Sequence, residues 1–218
     1  WLPGQARPDV PLYVLTSGNT GSAGEAFPYH LQAMERATIV GETTYGAGNP
    51  GGLFPAGDGF AVFVSTGSAR NPITGTNWEG TGVIPDVETS SEAALNAALM
   101  LAYDAILETA DDPGQRQSVE WALEAARANA NPMPMLPGDA DALAGTYGPR
   151  SISIEDGRLY YRRGDGAPRR LTPVGEDRFL MEGLDDARLT FQRGPDGGVV
   201  SLTVDQLGRR ASVSPRTD

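Results

Sequence analysis

The sequence predicts an α/β module over residues 1–110, a helical and Pro-rich connection over 111–140, and a small antiparallel β-barrel or meander over 141–218. Three observations carry this. In the first half, short apolar runs alternate with stretches whose apolar residues recur at helical spacing. Residues 131–140 (NPMPMLPGDA) form a Pro-rich joint. Beyond the joint the hydrophobic period changes from 3.6 to 2.

Residues 11–17 (PLYVLTS) are an apolar run bounded by Pro11 and the Gly18-Asn19 turn signal, which predicts a buried strand. Gly21-Ser22-Ala23-Gly24-Glu25 follows and leads into AFPYHLQAMERA, where Phe27, Leu31 and Met34 share one helical face. Strand, tight turn and helix therefore follow one another, with Pro28 near the helix start, where a missing N–H is tolerated. Residues 38–42 (TIVGE) and 60–66 (FAVFVST) predict further strands, residues 46–59 a Gly- and Pro-rich surface loop, and residues 67–90 mostly loop. Ala94, Leu95, Ala98, Leu99, Ala102, Ile106 and Leu107 make an apolar stripe on a helix over 91–110. A second helix is expected over 117–129, after an Asp112-Pro113-Gly114 break.

Past the joint, the runs SISIE, RLYYRR, RRLTPV, RFLME, RLTFQ, VVSLTV and RRASVS are separated by Gly- and Asp-rich turns, which predicts seven or eight strands closing or nearly closing into a barrel. Tyr160, Tyr161, Phe179 and Phe191 fall at alternating positions that suit either an interior pocket or plain core. The doublets Arg162-Arg163, Arg169-Arg170 and Arg209-Arg210 stand among as many carboxylates and read as a mixed, solvated surface.

Composition removes several classes of function. The net charge is −11, and its excess lies in residues 1–140, which hold 16 acidic side chains and 5 Arg, against 12 of each in 141–218. An acidic front disfavours phosphate backbones and anionic lipid, so no nucleic-acid partner is expected. No run approaches the roughly 20 apolar residues of a membrane span, and residues 1–15 lack a signal-peptide layout. With no Cys there is no thiol or zinc-thiolate chemistry, and no metal or cofactor motif is present. All 17 basic residues are Arg, so no lysine is available as base, Schiff-base former or phosphate ligand.

Ser22 stands between a predicted strand and a predicted helix, where free backbone N–H groups can receive a developing oxyanion. The local pattern fits a nucleophile and an ordinary N-cap serine equally. The lipase-type elbow does not apply, because Thr20 occupies its first glycine position. His30, the single imidazole, lies eight residues along the same helix, roughly 12 Å of rise from Ser22, and reads as a packing or surface residue. The base that a nucleophilic Ser22 needs is therefore expected outside this chain.

Three ordered segments, PLYVLTSGNTGSAGEAF, ATIVGETTYGAGNPGG and TGTNWEGTGVIPD, resemble the second half of the catalytic domain of the C-terminal processing (tail-specific) serine peptidases. The resemblance covers about residues 11–110 and is nearest to the branch of tricorn protease and the interphotoreceptor retinoid-binding protein repeats. It implies a crotonase-like (ClpP-type) α/β half-domain. It also implies Ser22 of the S-A-x-E motif as nucleophile, Glu25 as the motif acid and the Ala23 N–H as one half of an oxyanion hole. The lysine-dependent branch carries a G-K-G where this sequence has Gly46-Ala47-Gly48, which puts a Ser/Lys mechanism out of reach and points to the tricorn-like set of Ser, His, second Ser and Glu. Glu79 matches the glutamate of that set, in support of the relay behind the imidazole; its bland alternative is a solvated loop carboxylate. Residues 45–59 and 71–78 are implied to line the substrate cleft.

The expected partners are a peptide or protein substrate and the N-terminal remainder of the catalytic domain, which supplies the histidine, its serine and the second oxyanion donor. Oligomeric state is left open by the sequence. Bacterial relatives of the branch are commonly exported, which implies a periplasmic or envelope location. A non-catalytic ligand-binding module of the retinoid-binding type is the competing function. An acyl-CoA enzyme of crotonase type follows from the fold alone.

Overall fold

A computed structural model describes residues 4–5, 7–135 and 138–218. Of the expected Pro-rich joint, Leu136 and Pro137 lie outside the described residues, as do residues 1–3 and Ala6 of the N-terminal stretch. The chain divides into two units, residues 1–98 and 99–218.

In the first unit, strand β1 (Tyr13–Thr16) leads into helix α1 (Ala23–Ala33) and then strand β2 (Thr38–Gly41). The two strands pair in parallel, Tyr13 opposite Thr38 through Thr16 opposite Gly41. Strand β5 (Val87–Glu88) adds to the other side of β2, also in parallel. The short sheet β1-β2-β5 is thus all parallel, as a strand–helix–strand crossover requires. Gly41 has φ 137°, and a Cβ built on it would stand 2.0 Å from the Thr16 carbonyl oxygen, so the close approach of β1 and β2 needs glycine there. Asp86 ties the layers together: its carboxylate accepts the Ile39 N–H at 2.7 Å and the Gln32 side-chain amide at 2.9 Å.

Part of the expected loop over 46–59 is a strand. Strand β3 (Gly51–Gly57) pairs antiparallel with β4 (Phe60–Ser65). The turn between them is Asp58-Gly59, with φ 49° and 81°. Two successive positive φ values suit a tight hairpin turn matched to strand twist. The Asp-Gly signal was present; the surrounding glycines and Pro55 obscured the strand.

Helix α2 (Ala94–Thr109) spans the division between the units. Helix α3 (Pro113–Ala130) begins earlier than expected, because Asp112 is its N-cap, accepting the Gln115 N–H at 2.7 Å, and Pro113 occupies the first turn. What reads as a break is the helix start. A five-residue helix α4 (Asp139–Leu143) leads into the barrel.

The remaining strands are β6 (Gly145–Tyr147), β7 (Arg150–Glu155), β8 (Arg158–Arg163), β9 (Arg169–Pro173), β10 (Arg178–Met181), β11 (Leu184–Arg193), β12 (Val199–Gln206) and β13 (Ser212–Pro215). They form one antiparallel eight-stranded meander in sequence order. It nearly closes: just past β13 the Thr217 N–H donates to the Thr146 carbonyl on β6 at 2.9 Å, and Arg150 bonds Ser212 and Ser214 across the seam. Tyr147, Leu159, Tyr161, Leu171, Phe179, Leu189, Phe191 and Leu202 fill the interior. Edge-on contacts of Phe191 with Tyr147 (5.7 Å) and Phe179 (5.6 Å) make this a packed core.

Candidate active site

The site is built on the β1–α1 turn. Ser22 occupies the N-cap position of α1 and forms a capping box with Glu25. Its backbone has φ 53° and ψ −119°, outside both the extended region of ordinary N-caps and the left-handed helical well. Such a conformation in a serine costs about 1–3 kcal/mol and persists only when its surroundings impose it. The side chain is exposed. Of the neighbouring amides, Gly24 donates to Gly21 and Glu25 to the Ser22 carbonyl, whereas the Ala23 N–H has no hydrogen-bond acceptor among the described residues.

Glu25, at 0% exposure, imposes the Ser22 conformation. Its carboxylate accepts the Ser22 N–H at 2.7 Å, the Gly46 N–H at 2.6 Å, the Ala47 N–H at 2.9 Å and the Thr44 hydroxyl at 2.5 Å. No cation pairs with it among the described residues. Burial alone pushes its pKa up; the Thr44 hydroxyl and the amides of Gly46, Ala47 and Ser22 together outweigh this and hold it below the ordinary value. Glu25 is therefore an ionised buried carboxylate stabilised by dipoles. Thr44 is fixed in turn, accepting the Val83 N–H at 2.7 Å while donating to Glu25.

Glu79 takes the next two amides of the same loop. One of its oxygens accepts the N–H groups of Gly48 and Asn49, each at 2.7 Å. Two carboxylates thus hold four consecutive backbone amides, 46 to 49, and the second oxygen of Glu79 has no hydrogen-bond donor among the described residues. Gly48 permits the approach: a Cβ there would lie 2.8 Å from the Glu79 nitrogen. Further bonds run from Gly80 N–H to the Gly46 carbonyl (2.8 Å) and from the Trp78 indole to the Ala47 carbonyl (3.1 Å). Ser22 and Glu79 are thereby joined through one loop, Ser22 by way of Glu25 and Glu79 directly. Ala47, the position of the lysine in the G-K-G pattern, shares a carboxylate oxygen of Glu25 with Ser22 through its backbone N–H.

His30 is engaged elsewhere. Its Nδ1 lies 2.8 Å from the side-chain nitrogen of buried Asn71, whose oxygen accepts the Ile73 and Thr74 N–H groups. With both amide atoms of Asn71 so assigned, the His30 Nδ1 is an acceptor. The ring also meets Trp78 edge-on at 6.2 Å. A cavity of about 870 Å³, lined by Met100, Leu107, Leu123 and Met133 with Asp104 and Glu120, lies within the second unit and carries no nucleophilic side chain, so volume does not locate this site. Among the described residues no cluster of His, Asp or Glu suits a metal ion.

The motif S-x-x-E, Ser22 to Glu25, is legible in the sequence as a capping box, and the Ser22 N–H to Glu25 bond is half of one. Its extension to Thr44, Gly46 and Ala47 was not legible, because those donors come from about 20 residues downstream.

Residues 3–89 match the model of peptidase family S41. A carboxy-terminal-processing protease of Bartonella bacilliformis is 33% identical over 84 residues, 38% of this chain and 19% of that protein. A carboxyl-terminal-processing protease of a Synechocystis species is 41% identical over 69 residues, 32% of this chain and 16% of that protein. One from a Picosynechococcus species is 33% identical over 109 residues, 48% of this chain and 26% of that protein. Among solved structures, a photosystem II D1 C-terminal processing protease aligns with 39% of this chain and 22% of its own length, at 33% identity and a TM-score of 0.33. The aligned segments span about a quarter or less of each of these relatives. Part of this chain is thus similar to carboxyl-terminal-processing proteases, and residues 3–89 to peptidase family S41.

Proposed function

We propose that this chain carries the nucleophile half of a serine endopeptidase site, with Ser22 as nucleophile and the general base supplied by a histidine outside the segment. The observation that carries the reading is the state of Ser22: an exposed serine at a helix start, with φ 53° and ψ −119°, its N–H held by a buried carboxylate. An ordinary N-cap serine has extended backbone.

In this mechanism the Ser22 Oγ attacks the peptide carbonyl while the histidine takes its proton. The carbonyl oxygen becomes an oxyanion held by the Ala23 N–H and a second donor from outside the segment. Collapse expels the amine, which receives the proton, and leaves an ester on Ser22 that water hydrolyses. Glu79 supports the relay behind the imidazole through the carboxylate oxygen that the Gly48 and Asn49 amides leave free. The substrate is a peptide or protein. Ala47 in place of a lysine favours the tricorn-like and retinoid-binding-protein-like branch, on a crotonase-like core completed by the N-terminal remainder of the domain. The barrel serves as an accessory module.

The test is covalent labelling by a fluorophosphonate probe of the longer polypeptide that includes the histidine, compared with its Ser22→Ala variant. Labelling that disappears with Ser22→Ala supports the peptidase. Equal labelling removes it in favour of a non-catalytic ligand-binding module on the same fold. The chain of residues 1–218 alone is expected to be inactive.

A further inference from the structure

We infer that Glu25 is the positioning residue of the site: it holds Ser22 in its reactive conformation and sets the loop that carries Glu79, while touching neither substrate nor reacting atoms. The inference rests on the peptidase reading for its catalytic consequence, but its structural half stands on the hydrogen bonds alone.

The physical case starts from burial. A carboxylate removed from water without a cation is costly unless dipoles replace its hydration shell. Glu25 has a full set: three backbone N–H groups and one hydroxyl, at 2.5 to 2.9 Å. These donors come from the β1–α1 turn and from the segment after β2, so the charge joins two pieces of chain that are otherwise linked near the site by the Tyr45 N–H to Thr20 carbonyl bond at 2.9 Å. One of its oxygens takes the Ser22 and Ala47 amides together. The other takes Thr44 and Gly46. An acceptor is therefore required at both oxygens.

Two consequences follow. The amides of residues 46–49 are all committed to Glu25 and Glu79, so none of them is free to hold an oxyanion. The Ala23 N–H remains as this loop-and-turn unit's donor to substrate. Second, Ser22 and Glu79 move as one body, because the carboxylates that grip the loop do so on adjacent peptide units. Displacing Glu25 shifts the nucleophile and the relay glutamate together.

Glu25→Gln is isosteric but turns one oxygen into an NH2 donor facing either the Ser22 and Ala47 amides or the Thr44 and Gly46 donors. Glu25→Asp keeps the charge but is one methylene too short to reach both sets. Each variant is to be made in the active polypeptide and compared with wild type and with Ser22→Ala in two readouts. The first is amide hydrogen exchange. The expected result is faster exchange at Ser22, Gly46 and Ala47 in both variants, with the barrel amides unchanged. The second is peptidase kinetics. The expected result is kcat at least about tenfold lower with KM nearly unchanged, since binding is left intact and the reacting geometry is not; Glu25→Asp recovers part of the loss.

Local exchange that rises while kcat holds would overturn the positioning role, leaving Glu25 a purely structural anchor. Exchange that does not rise would overturn the clamp itself. If Glu25→Gln unfolds the first unit, Glu25→Asp decides by the same two criteria. Failure of the peptidase reading is seen separately, as Ser22→Ala retaining wild-type turnover, and leaves the exchange result standing.

Discussion

The indole N–H of Trp78 donates to the carbonyl of Ala47 at 3.1 Å, and the ring is buried between that loop and the Tyr29 and His30 side chains of α1. Trp78 thereby packs the loop gripped by Glu25 and Glu79 against helix α1. Trp78→Phe keeps most of the apolar contact and loses the hydrogen bond, for an expected cost of about 1 kcal/mol. Trp78→Ala removes the packing as well and is expected to cost about 3–5 kcal/mol. Urea unfolding midpoints of the two variants check the difference.

Acid is expected to weaken the Glu25 clamp. Its folded pKa lies below the ordinary glutamate value of 4.5, so the unfolded chain takes up its proton first as pH falls. The stabilisation is full above that value and is lost as pH drops through the lower folded pKa. Exchange at Ser22, Gly46 and Ala47, corrected for intrinsic rates, is expected to be pH-independent above 4.5 and to rise below it. The Glu25→Gln variant should lack that step.

Arg188 on β11 is 1% exposed and fastens α3 to the barrel. Its guanidinium donates to Glu124 at 2.7 Å, lies 4.8 Å from the Trp121 ring centroid, and bonds the Trp121, Ala187 and Asp185 carbonyls. Arg188→Ala is expected to destabilise the second unit by about 3–5 kcal/mol, since it leaves buried acceptors without donors. Arg188→Met, which keeps the volume and the contact with Trp121, should cost less. Denaturant titration followed by Trp121 fluorescence, in a Trp1→Phe, Trp78→Phe background, measures both.

The β3–β4 hairpin is apolar on both faces. Leu53 opposes Phe63 on one side and Phe54 opposes Val62 on the other, with exposures of 71%, 58%, 48% and 53%. Isolated two-stranded hairpins are marginal in water, and contiguous apolar surface of this kind binds other apolar surface. This chain by itself is expected to bind a hydrophobic dye and to self-associate with rising concentration. The double change Phe60→Ser and Phe63→Ser should lower dye fluorescence at least about twofold without altering the barrel. Unchanged fluorescence would show that the hairpin is not the surface responsible.

The barrel was legible almost strand by strand, because each strand buries one face and so writes its alternation into the chain: Leu159 and Tyr161 point inward while Arg158 and Arg162 stay exposed. The parallel strands β1 and β2 were legible as apolar runs, and α1 as a face of spaced apolar residues. Strand β3 was not, since neither of its faces is buried and no alternation marks it. The start of α3 was misread because Pro113 breaks a helix interior but favours a first turn, and only the Asp112 cap distinguishes the two.

At the site, local sequence determined that a serine would stand between a strand and a helix start with a glutamate three residues on, because capping and turn chemistry act over a few residues. The absence of lysine and the presence of one histidine, held by Asn71, were equally a matter of composition and neighbourhood. What tertiary structure alone decided is where the charge of Glu25 goes. Its donors lie about 20 residues downstream, on a loop that the parallel pairing of β1 and β2 brings across α1. A buried carboxylate has no periodicity; it is defined by the dipoles that fold around it.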